Sequence, residues 1–240
     1  MRSAPNRLAS EDISEESHIV TVDGRDIRLV MRSAVDAASG MTVVLAHGAG
    51  TGIDSPFMRY FGEAMARAGH LSVAFDFAYM HAGRKAPDPA SRMVATWSGV
   101  LQWLRQRPEV QADNLVIGGK SMGGRMASLC VAEGEAVSGL LLLGYPLHAS
   151  GKPEKVRVAH FPKLDCPCLF IQGDRDALCS LDALRPALDG IPGPATLHVI
   201  EGGDHSFGLL KRSGREPEQA LDEARRVALA WLDGLLVGLQ

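Results

Sequence analysis

A chain of 240 residues that is 46% hydrophobic and 22% charged has the balance of a folded protein, and it is long enough to bury a large core without covalent staples. A formal net charge of -3 gives no electrostatic basis for binding nucleic acid, and no apolar run approaches the ~20 residues of a membrane-spanning helix. The four cysteines, Cys130, Cys166, Cys168 and Cys179, form no C-x-x-C pair, a pattern of reduced core thiols in a cytoplasmic protein rather than of a disulfide framework or zinc site.

The N-terminal stretch mixes Arg with Asp and Glu and has no apolar segment of a signal peptide. Residues 1–17 read as a mobile tail, and residues 18–240 as a single α/β domain. His18–Val22 and Ile27–Val30 flank Asp23-Gly24, a hairpin signal, and predict two antiparallel edge strands. Thr42–Ala46 is the first continuously apolar strand and runs into the glycine-rich turn His47-Gly-Ala-Gly50-Thr-Gly52, whose spacing fits neither phosphate-loop pattern. Ser55-Pro56 caps a helix with Phe57, Phe61, Met65 and Ala68 at helical spacing, and Gly69 stops it. Leu71–Phe75 is a strand, and Asp76–Asp88 an irregular polar segment. A helix follows, with Met93, Trp97, Val100, Leu101 and Leu104 on its apolar stripe. Further strands are predicted at Asn114–Gly118, Leu140–Leu143, Cys168–Gln172 and Ala195–Ile200, with a last helix opening at Pro217.

Apolar strands alternating with helices make a mostly parallel sheet with helices on both faces and an antiparallel N-terminal edge. Ligands of such sheets bind beyond the carboxyl ends of the strands. Each unusual loop lies at such an end: His47–Gly52, Asp76–Asp88, Gly119–Gly123, Gly173–Asp176 and Gly202–His205. Gly119-Lys-Ser121-Met-Gly123 is a G-x-S-x-G sequence between an apolar strand and a helix rich in small residues, the context of a nucleophile elbow. Glycines two residues either side keep side chains away from the sharp turn, and the N-terminus of the next helix faces the place where negative charge develops.

A serine hydroxyl needs a base, and the base needs a group that fixes its tautomer. Ser121, Asp176 and His205 each follow a strand, in the order Ser, Asp, His required of this architecture, with Asp174 as the competing acid. The N–H groups of Met122 and Ala49 are the expected oxyanion donors, and His47 the brace of its loop. Phe57, Met58, Tyr79, Met80 and Lys120 are the expected substrate-binding residues, with Arg84, Lys85 and Lys120 as basic groups at the mouth. No metal and no cofactor enter this chemistry; the partner is a small ester-type molecule, and nothing in the sequence sets an oligomeric state.

From about His18 to Leu239 the chain resembles the α/β-hydrolase superfamily. His47-Gly-Ala-Gly-Thr-Gly-Ile-Asp-Ser-Pro-Phe-Met58, Gly119-Lys-Ser-Met-Gly-Gly124 and Leu143-Gly-Tyr-Pro-Leu-His148 are similar to a narrower, dienelactone-hydrolase-like group. That group includes a testis-expressed hydrolase-like protein and the hydrolase-like domain of a chromatin-complex subunit. The resemblance implies a Ser121–Asp176–His205 triad. The connection from Gly144 to about Leu164, where many lipases of this superfamily insert a lid, is rich in Lys, Arg, His and Pro and lacks the long amphipathic pattern of a lid helix, so no large lid domain is expected. Dienelactone hydrolases carry cysteine where this chain has Ser121. The activity implied is cleavage of small carboxylic esters, thioesters or lactones; the chromatin-associated relative implies the alternative, a non-catalytic interaction module on the same scaffold.

Overall fold

The computed structural model describes residues 12–34 and 40–238. Eight strands form one sheet: β1 (Ile13–Val22), β2 (Arg25–Ala34), β3 (Thr42–Ala46), β4 (Leu71–Phe75), β5 (Leu115–Lys120), β6 (Gly139–Leu143), β7 (Cys168–Gly173) and β8 (Ala195–Ile200), in the order β1-β2-β4-β3-β5-β6-β7-β8. The β1–β2 and β2–β4 pairs are antiparallel, and every later pair is parallel. The helices are α1 (Pro56–Arg67), α2 (Ala78–His81), α3 (Ala90–Leu104), α4 (Met122–Ala132), α5 (Leu181–Leu188) and α6 (Pro217–Gly238).

Successive strand residues point to opposite faces, so each buried strand feeds two cores. On one face Val44, Phe75, Ile117, Leu142 and Phe170 meet α3 and α4 through Trp97, Leu101, Met126 and Cys130. On the other, Val43, Leu45, Val116, Leu141 and Ile171 meet α1 and α6 through Phe61, Met65, Ala224 and Leu232. All four cysteines are free and buried. No helix among the described residues is long and apolar enough to cross a membrane.

Three elements depart from the sequence reading, among them α2, which lies within the segment Asp76–Asp88 expected to be irregular. Strand β1 begins at Ile13, so Ile13–Ser17, expected in the tail, pair with β2; residues 1–11 of that tail lie outside the described residues. Its polar sequence suits an edge strand, and Glu15 meets the buried guanidinium of Arg32 on β2 at 2.7 Å. Helix α5 was not expected. It is short, contains Pro186, and buries only Leu184, too little periodicity to stand out from a loop.

The register brings the functional loops together. Ala46 pairs with Gly119, Lys120 with Leu143 and Gly173 with Ile200, so the chain leaves β3, β5, β6, β7 and β8 along one edge of the sheet. Gly119 and Gly123 owe their presence to that crowding: a Cβ at Gly119 would lie 2.1 Å from the Ala46 carbonyl oxygen, and one at Gly123 2.2 Å from the same atom. The collision is thus with the end of β3 and the residue that follows it. Backbone cannot yield as a side-chain tip can, so Gly119→Ala is expected to destabilise by about 3 kcal/mol or more. Urea denaturation checks this; a loss under about 1 kcal/mol would mean that β3 shifts freely.

Candidate active site

Ser121 sits between the last residue of β5 and the first of α4 with φ 51° and ψ −116°, a conformation rarely adopted by a residue with a side chain. Its N–H donates to the Leu143 carbonyl (3.0 Å) and its carbonyl accepts from Arg125 N–H (3.0 Å), so both neighbours in the fold hold the strained turn. Ser121 is partly exposed above the strand ends.

His205 follows β8, and Asp176 follows β7. The His205 Nε2 lies 2.8 Å from Ser121 Oγ, and its Nδ1 lies 2.7 Å from Asp176 Oδ2. The carboxylate is fully buried and fully bonded: Oδ2 also accepts from Gln172 Nε2 (2.5 Å), and Oδ1 accepts from Leu178 N–H (2.7 Å). Gln172 is itself fixed, because its Oε1 accepts from Tyr145 N–H. An acceptor-only carboxylate facing Nδ1 sets the histidine tautomer, with Nδ1 protonated and Nε2 free to accept from the serine. Asp174 instead accepts from Gly202 N–H at 2.8 Å and joins the loops after β7 and β8. Asp204 folds the histidine loop by accepting from the N–H groups of Ser206 and Gly208, each at 2.8 Å.

The loop after β3 lies against the serine, with a Cβ built on Gly48 only 3.6 Å from that of Ser121. Ala49 and Gly50 are exposed at its tip, and Met122 opens α4 with one of the first-turn N–H groups that have no intrahelical acceptor. His47 braces this loop from below. Its Nδ1 donates to Gly48 O (2.7 Å) and its Nε2 accepts from Phe77 N–H (3.1 Å). Burial pushes the His47 pKa down, which favours the neutral form that this pairing requires. Asp76 adds a second brace by accepting from Ile53 N–H (3.0 Å), and Arg28 on β2 a third, through its ion pair with Asp54. Neither was read from the sequence, where an acid after a strand and an arginine on an edge strand carry no distinguishing pattern.

The predicted rim is only partly where it was expected. Phe57 is half-buried beside Phe207, at 5.8 Å between ring centroids, and Met80 is half-buried next to Gly52. Met58 and Tyr79 are core residues. Met58 faces the sheet from α1, and Tyr79 is wholly buried with its ring edge-on to His47. The reason is α2, which turns part of the supposed irregular segment inward and buries Phe77, Ala78 and Tyr79. Arg84 is held by the buried Asp88, as are Arg25 and Arg92. Lys120 is not at the mouth at all. It is 7% exposed, and its ammonium donates to the His205 carbonyl, with the Phe57 and Phe207 rings 5.4 and 5.8 Å away.

A mostly parallel sheet with an antiparallel edge, a strained serine between β5 and α4, and a histidine and acid after β8 and β7 define an α/β-hydrolase fold. The chain belongs to the α/β-hydrolase family: the model of the alpha/beta hydrolase domain matches residues 39–233. It is similar in structure to the dienelactone hydrolase from Anabaena variabilis, with a TM-score of 0.73 and 22% identity over 92% of this chain and 98% of that one. An alpha-beta serine hydrolase homologue from Coxiella burnetii gives 0.72 and 17% identity over 90% and 96%. A cold-adapted esterase from an Arctic intertidal metagenomic library gives 0.67 and 18% over 96% and 99%. These likenesses are of fold.

Proposed function

We propose that the protein is a serine hydrolase that cleaves small carboxylic esters, thioesters or lactones through an acyl-enzyme. The observation that carries this reading is the unbroken chain of hydrogen bonds from Ser121 Oγ through His205 to Asp176. His205 Nε2 takes the Ser121 proton as Oγ attacks the carbonyl carbon, and Asp176 steadies the imidazolium. The N–H groups of Met122 and Ala49 receive the oxyanion. His205 then returns the proton to the leaving oxygen or sulfur, and the bond to it breaks. Water, deprotonated by the same histidine, releases the acid and restores Ser121. Phe57 and Met80 flank the substrate.

The reading is tested by labelling with a fluorophosphonate and by hydrolysis of p-nitrophenyl esters of increasing acyl length. Between β6 and β7, where many lipases of this superfamily insert a lid, the chain runs from Gly144 to Pro167 with one short 3-10 turn, Phe161–Lys163. With no lid helix there to bury a long acyl chain, the gain of about 0.8 kcal/mol per buried methylene is lost beyond a short group. The expected kcat/KM therefore peaks between acetyl and butyryl esters and falls beyond. A maximum at decanoyl, or activation at a lipid interface, would overturn the short-chain preference.

A further inference from the structure

Lys120 directly precedes Ser121, and its side chain runs inward through the site. Its Cγ lies 3.4 Å from the place of a Cβ on Gly48, so the stem packs under the oxyanion loop. Its ammonium donates to the His205 carbonyl oxygen. The turn after β6 leaves room for it because Gly144 has no side chain: a Cβ there would lie 2.7 Å from both Nζ and the His205 carbonyl oxygen. Phe57 and Phe207 supply aromatic faces, and Phe207 is itself strained, with φ 66°. A methionine would fill the same space without the cost of burying a charge, so packing alone does not call for lysine here.

We propose that Lys120 is a positioning residue of this site, whose buried ammonium ties the histidine loop to the residue next to the nucleophile and so holds His205 in line with Ser121. This rests on the serine-hydrolase reading. Nucleophile and base stand on different strands, and their alignment depends on whatever joins the two loops. A charge-assisted hydrogen bond from position 120 to position 205 makes that join.

The tie is pH-dependent. Burial pulls the Lys120 pKa down to about 8, against the upward pull of Asp176 and Asp204, which face it from the loops after β7 and β8. From the β8 loop it also meets the His205 carbonyl and the Phe207 ring, and α1, the β3 loop and the β6 turn bring the uncharged Phe57, Gly48 and Gly144 beside it. Below about pH 8 the ammonium is charged and the tie is strong; above it a neutral amine remains, and the tie weakens.

The test is Lys120→Met, with Lys120→Gln as a second variant that keeps an N–H donor and loses the charge. Each is measured for kcat and KM on a p-nitrophenyl ester across pH, for the rate of fluorophosphonate labelling, and for thermal melting. Wild type is expected to lose kcat/KM as pH rises through about 8. Lys120→Met should lower kcat by about 10- to 100-fold with KM nearly unchanged, lack that alkaline fall, and remain folded at the assay temperature. Lys120→Gln should recover part of kcat and share the flat alkaline arm. If wild-type Ser121 takes no label, the serine-hydrolase reading fails, and this proposal with it. If Ser121 is labelled but both variants keep the wild-type kcat and alkaline limb, the role of Lys120 alone is overturned.

Discussion

Ser121→Ala is expected to abolish fluorophosphonate labelling and to lower kcat for p-nitrophenyl acetate by about 10⁶, the scale on which triad serines fail when removed. The Oγ hydrogen-bonded to His205 at 2.8 Å is the only part of the serine that this change removes. The Cβ remains, and with it the unfavourable backbone at φ 51°, so Ser121→Ala should fold with nearly wild-type stability. Ser121→Gly separates the two properties. It also lacks the nucleophile, but it relieves a conformation that costs on the order of 1–3 kcal/mol, less the 0.5–1 kcal/mol or so that glycine loses through its freer unfolded chain. It should therefore be inactive and more stable than Ser121→Ala in urea. Equal labelling of wild type and Ser121→Ala would remove Ser121 from the chemistry. Equal stability of the alanine and glycine variants would show that the turn stores no strain.

The sheet and the Ser–Asp–His order were legible because both are written in local pattern. Continuous apolar runs such as Leu140–Leu143 mean strands buried on both faces, and a glycine-flanked serine between strand and helix has few other uses. What was not legible depends on contacts between distant residues. Tyr79 sits in a polar-looking segment, and only the packing of Phe77 against His47 and Phe75 shows that the segment turns inward. Gln172 reads as the end of a strand until its amide is seen joining Asp176 to Tyr145. Lys120 is the sharpest case. A lysine within G-x-S-x-G looks like a solvated charge at the mouth, and nothing along the sequence says that residues 144, 205 and 207 will close around it. The meaning of Gly119 was likewise half visible: its need for a tight backbone was, its contact with Ala46 on a neighbouring strand was not.

Asp176→Asn is expected to lower kcat by about 10⁴, as the same change does in a triad protease. The hydrogen-bond inventory around this residue says why no orientation of the amide succeeds. Three donors converge on the carboxylate: His205 Nδ1 and Gln172 Nε2 on Oδ2, and Leu178 N–H on Oδ1. Asparagine offers one accepting oxygen and one NH₂ group. With its oxygen at the Oδ2 position, the histidine tautomer is kept, but the NH₂ meets the part-buried Leu178 N–H, and the uncharged amide no longer steadies the imidazolium. With its NH₂ at the Oδ2 position, Leu178 is satisfied, but the amide opposes Gln172 and compels His205 Nδ1 to accept. Nε2 then carries the proton and cannot take one from Ser121. Gln172 cannot turn to help, since its oxygen is committed to Tyr145 N–H. Asp174→Asn meets no such conflict, because the single bond from Gly202 N–H needs one acceptor and asparagine supplies it. That variant should retain kcat within about threefold and lose at most about 1 kcal/mol of stability, the scale of one neutral hydrogen bond. If Asp174→Asn proves the more damaging of the two in kcat, the acid partner of His205 in the working enzyme is Asp174, and the loop after β7 must rearrange before substrate reacts.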